Sequence, residues 1–231
     1  MLDPAFHQAQ RKKGGTRMTT SPTNSRGLLA ELRALRPQRH LSPHEARVIA
    51  ERQAARLRRR LKADTPLDLR VIGDLPRVEI VRDGNLPELV SGSSHWTGSH
   101  WLICLNRTNP ERRQRFTAFH ELHHIIEHPF RRFGSDAAAE VVADQFAACV
   151  LMPKSEVRRA WCSGTQALAE LADLFEVSEQ AIKVRLVKLG LMDGTERTCR
   201  RLPRFYYRLS MSPLPTTAPV ARPAPSPGDL Q

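Results

Sequence analysis

One short run of the chain, His120-Glu121-Leu122-His123-His124, holds the residues whose types and spacing could do chemistry. A helix turns about 100° per residue, so side chains four apart share a face, and His120 and His124 can reach one ion together. Zinc takes neutral imidazole nitrogens, and Glu121, beside that face, can accept a proton from a water that the ion acidifies. The pattern therefore supplies two ligands and a general base. Nine histidines in the chain leave room for coincidence, and two histidines satisfied inside a core would look alike. Context favours the site, because residues 114–119 continue the helical pattern and a further ligand lies on the next predicted helix.

Catalytic zinc sites use three protein ligands and keep one position open. In residues 137–151, Glu140 and Asp144 stand four apart. One carboxylate can bind the metal while the other accepts the second ring N–H of a ligating histidine. Glu140 is the expected third ligand, and Asp144 is its supporting partner or an alternative ligand. His128, four residues after His124, is another alternative, but Pro129 follows it directly and disfavours continued helix there.

The elements that must hold these residues are legible in part. Ser42-Pro43-His44-Glu45 reads as a capping box with proline at the first helical position, predicting a helix over residues 43–61 with Ala46, Ile49, Ala50, Ala54 and Leu57 on one stripe. Three extended segments follow, at 78–81, 89–95 and 101–105, with Asp83-Gly84 and Thr97-Gly98 as turn signals. They predict a small antiparallel sheet. Residues 110–191 read as helices interrupted at 129–135, at Pro153 and at 162–165, so the expected class is α+β and mostly helical.

Residues 1–25 are polar and nearly free of periodic apolar residues, which predicts a disordered extension, with Met18 as an alternative start. Residues 26–164 form the expected main domain, 165–192 a helix-turn-helix-like segment packed on it, and 193–231 a basic, then proline-rich, flexible tail. No apolar stretch approaches the roughly 20 residues of a membrane helix, and the basic N-terminus lacks the apolar core of a secretory signal, so the expected location is the cytoplasm. Cys104, Cys149, Cys162 and Cys199 show no paired spacing, which fits reduced thiols rather than a disulfide framework or a cysteine zinc site. The net charge of +12 suggests a polyanionic partner, but the basic residues are scattered and solvated helix faces account for much of it.

The run Arg113-Gln-Arg-Phe-Thr-Ala-Phe-His-Glu-Leu-His-His-Ile-Ile-Glu-His-Pro129, followed by Glu140-Val-Val-Ala-Asp-Gln-Phe-Ala-Ala-Cys-Val-Leu-Met-Pro153, resembles the ImmA/IrrE family of zinc metallopeptidases. The likeness covers roughly residues 45–192. It implies a zincin-like core, His120, His124 and Glu140 as metal ligands, Glu121 as catalytic base, and Zn2+ as cofactor. It also implies a protein substrate, a helix-turn-helix repressor of stress genes or mobile elements. Two departures stand out: His123 replaces a usual glycine, and Val142 replaces a common second acidic residue.

Leu168, Leu171, Ala172 and Phe175, then Ile182, Leu186 and Leu189, mark two short amphipathic helices, the second capped by Ser178. Lys183, Arg185 and Lys188 are its candidate nucleic-acid contacts. The competing expectation is therefore a DNA-binding regulator with a vestigial or structural metal site. An intact Glu121 favours the enzyme, since a structural zinc needs four closed ligands and no base. His123, His128, His95, Tyr206 and Tyr207 are candidate donors to the developing oxyanion, with no basis in the sequence for choosing among them.

Overall fold

The structure is a computed structural model and describes residues 27–83, 86–133 and 136–193. The expected extension at 1–25, all but the first residue of the expected tail, Cys199 and both tyrosines lie outside these residues. Helices α1 (Leu28–Ala34), α2 (Pro43–Leu61) and α3 (Arg70–Gly73) precede strands β1 (Val78–Asp83), β2 (Gly92–Trp96) and β3 (Trp101–Asn106). Then come α4 (Glu111–Glu127), a 3-10 turn (His128–Phe133), α5 (Asp136–Leu151), α6 (Lys154–Cys162), α7 (Leu168–Leu174) and α8 (Glu179–Lys188). The α+β, mostly helical class holds.

α2 begins where its capping box places it. Ser42 Oγ accepts from the Glu45 amide at 3.2 Å, and Glu45 Oε2 accepts from the Ser42 amide at 2.9 Å. Its apolar stripe, Ile49, Ala50, Ala54 and Leu57, is buried against α5, and α5 in turn packs on α4. The opposite side of α4 faces β2 and β3, so this helix is buried nearly all round. That position explains why a helix so rich in polar residues sits inside: its polar groups meet one another across α5 and the sheet.

The sheet order is β1-β3-β2, and its pairing corrects the expected antiparallel sheet. β2 and β3 form an antiparallel hairpin, Trp96 opposite Trp101, closed through residues 97–100 with Gly98 at φ +100°. β1 instead lies parallel to β3, Val78 opposite Trp101. The segment between β1 and β2 is longer than a tight hairpin turn and carries the chain across to the far edge of β3. Asn106, fully buried, anchors that segment by donating Nδ2–H to Val90 O at 2.8 Å and Pro87 O at 3.2 Å. The second strand starts later than expected, at Gly92 rather than residue 89, because Val90 and Ser91 belong to this anchored loop.

Candidate metal centre

Burial between the sheet and α5 leaves His120 fully enclosed. Its Nδ1 pairs with Asp144 Oδ1 at 2.9 Å, which directs Nε2 toward the remaining polar groups. That Nε2 lies 3.0 Å from His124 Nε2 and 3.1 Å from Glu140 Oε2, while His124 Nε2 lies 3.3 Å from Glu140 Oε1. The candidate ligand atoms of His120, His124 and Glu140 all fall within 4.8 Å of one another. Bonds of about 2.0–2.1 Å in a tetrahedron separate ligand atoms by roughly 3.3 Å, so the donor set fits a zinc-sized ion with little adjustment.

The electrostatics point the same way. Burial by itself would lower the His120 pKa, but hydrogen bonds to Asp144 and Glu140 outweigh it and raise the value to about 9. Burial would raise Glu140, yet His120 and His124 hold its carboxyl down at about 2. The cluster thus favours positive charge at its centre, as a cation site must.

Glu121 is 6% exposed and accepts a hydrogen bond from Ser94 Oγ at 2.8 Å. Gly92 makes that contact feasible. A Cβ there would come within 2.6 Å of Thr117 Cγ2 and 2.8 Å of Cys104 O, so only glycine lets β2 settle onto α4. Ser94, two residues on, faces the same side. Sequence reading missed Ser94; the Gly-x-Ser alternation on an extended segment is the one local signal that pointed to it.

The other expected residues lie elsewhere. His128 opens the 3-10 turn and sets its ring edge-on to Trp101, with centroids 4.8 Å apart, rather than joining the three-residue group. His95 is exposed on β2. His123 is turned into the core against Phe146, and its Nε2 has no hydrogen-bond partner among the described residues. Burial, then the charges of His124, His120 and Arg36, holds its pKa well below the usual histidine range, so it stays neutral. The residue in place of glycine therefore fills volume in the core. Among the candidate nucleic-acid contacts, Arg185 is a correction: it is 3% exposed and donates Nε–H to Met152 O at 3.0 Å. Lys188 Nζ reaches Gln145 Oε1 at 3.3 Å, and Lys183 is half-buried on α8.

A helix bearing His-Glu-x-x-His, flanked by an edge strand and facing a carboxylate from the next helix, defines a metallopeptidase-like fold. Residues 84–187 match the family model Peptidase_M78, described as an IrrE N-terminal-like domain, in agreement with the resemblance read from the sequence. Among similar solved structures is a Mycobacterium tuberculosis transcriptional regulator, 18% identical, with a TM-score of 0.45 over 69% of this chain and 51% of that one. This chain thus spans about half the length of that protein. No curated protein matches.

Proposed function

We propose that this protein is a zinc-dependent endopeptidase of the cytoplasm that cuts a DNA-binding repressor at one exposed site. The convergence of His120, His124 and Glu140, with Glu121 on the same helix turn, carries this reading. A zinc ion held by those three residues would supply Lewis acidity, polarising the scissile carbonyl and acidifying a water molecule. Glu121 takes the proton of the attacking water and returns it to the departing amine. Ser94 fixes the Glu121 carboxylate through Oε2, and Asp144 holds His120 with its Nε2 facing the cluster.

Substrate access is the role of β2. It is the edge of the sheet beside α4, so an extended segment can add to it through backbone hydrogen bonds, with alternate side chains read for specificity. Only an exposed or locally unfolded segment can do so, which restricts the enzyme to linkers and frayed helices. The competing reading, a DNA-binding regulator with a structural metal, loses support because Arg185 is enclosed where a duplex cannot reach it.

Co-expression of the native form and Glu121→Gln with a candidate repressor tests the proposal. The native form should yield two repressor fragments by mass, and Glu121→Gln should yield none while retaining its metal. Fragments with both forms would refute the assignment of Glu121. Rapid degradation of casein by the native form would refute selectivity.

A further inference from the structure

A cavity of about 400 Å3 lies apart from the metal cluster, between α2, α5, the start of α6 and α8. Its volume is in the range of small-molecule sites. Charged and polar groups reach it from three helices: Glu51 and Arg58 on α2, Lys154, Ser155 and Arg158 on α6, and Arg185 on α8. Four cations thus face one carboxylate.

The cations are not equivalent. Arg58 is engaged, pairing with Glu156 at 2.9 Å and donating to Val150 O at 3.0 Å. Arg185 is enclosed; its polar partners are the Met152 carbonyl and the Cys149 thiol, and no carboxylate lies within ion-pair distance of it among the described residues. A buried guanidinium without a counter-charge is costly, and a bound anion would offset that cost. Lys154 and Arg158 are exposed at the mouth, four apart on α6 and so on one face, and form no ion pair among the described residues. The start of α6 adds its own pull. Pro153 at the N-cap offers no side-chain oxygen, and the amides of Lys154 and Ser155 precede the first intrahelical bonds.

We propose that this cavity binds a phosphate-bearing small molecule of about mononucleotide size, its phosphate set between Arg185, Lys154, Arg158 and the start of α6. Much of the remaining wall is apolar, which leaves room for an organic body beside the phosphate. A duplex cannot reach Arg185, so the concave shape favours a small ligand over nucleic acid. The inference is independent of the peptidase reading.

The test is titration of the full chain at low ionic strength with adenosine 5′-monophosphate, inorganic phosphate and adenosine, followed by calorimetry and melting. The monophosphate should bind and raise the melting temperature, phosphate should bind more weakly, and adenosine should do neither. Lys154→Gln and Arg158→Gln, at exposed positions that leave the core intact, should each weaken binding about three- to tenfold. Glu51→Gln should tighten it. Metal content should be unchanged in all three. Absence of binding by both phosphate probes would overturn the site, as would affinities indifferent to these substitutions. A duplex oligonucleotide bound through Lys154 and Arg158 with no monophosphate binding would overturn it in favour of a nucleic-acid surface.

Discussion

At the scale of single residues, the centre depends on one histidine being held from both sides. Asp144 takes the Nδ1 side of His120, and the facing Nε2 meets His124 and Glu140. Purified protein should carry about one zinc per chain, and His120→Ala, His124→Ala or Glu140→Ala should each lose it, whereas His128→Ala should retain it, as read by metal analysis. Asp144→Asn keeps the shape but weakens the orienting contact, so zinc affinity should fall about 10- to 100-fold in a chelator competition. Ser94 touches Glu121, the proposed base, rather than the proposed metal ligands. Ser94→Ala should leave zinc content unchanged and lower kcat by about tenfold or more, because one charge-assisted hydrogen bond to Glu121 is lost.

Elements hold these residues through their ends as much as their faces. The C-terminal carbonyls of α4 are capped by α1: Arg33 donates Nη2–H to Ile125 O at 2.9 Å and Nε–H to Ile126 O at 3.3 Å. A cation at that terminus also opposes the helix dipole. α2 is stabilised at its start by Glu45, whose carboxyl Arg39 and then the Ser42 hydrogen bonds hold at about 2, below the usual carboxylate range. Because the folded value is the lower one, this contribution is present above about pH 4.5 and is lost as pH falls through about 2. Between those limits the thermal stability of the native chain, followed by circular dichroism, should decline more steeply than that of Glu45→Gln.

At the scale of the whole molecule, α7 and α8 are joined to the site-bearing helix rather than appended to it. Leu171, Phe175, Ile182 and Leu186 belong to the same buried core as Phe119 and Phe146. Arg112 of α4 pairs with Asp173 and donates to Val177 O at 3.2 Å. Arg115, 5% exposed, pairs with Glu176 and donates to Glu176 O at 3.0 Å and Leu67 O at 2.7 Å. Replacing Arg115 by methionine keeps the bulk but strands two carbonyls, so urea unfolding should show a loss of about 2–4 kcal/mol. Removal of the 165–192 segment would expose the underside of α4, which ties the centre's geometry to that hairpin.

Local rules alone determined much of this protein. The cap and stripe of α2, the helix carrying His120, Glu121 and His124, and the placing of Glu140 and Asp144 one turn apart all follow from a 3.6-residue period, which neighbours in sequence fully express. Tertiary structure decided the rest, since it depends on partners far along the chain. The parallel pairing of β1 with β3 is set by a buried loop anchored at Asn106, not by the turn residues that suggested a hairpin. α1 has only seven residues and no side-chain cap, so nothing local marked it before it packed on α2 and α4. The inward turn of Arg185, the burial of His123 and the grip of Ser94 on Glu121 depend on which helix or strand lies opposite. Residue type and spacing cannot state that, because a side chain's direction is settled by whichever surface excludes water from it.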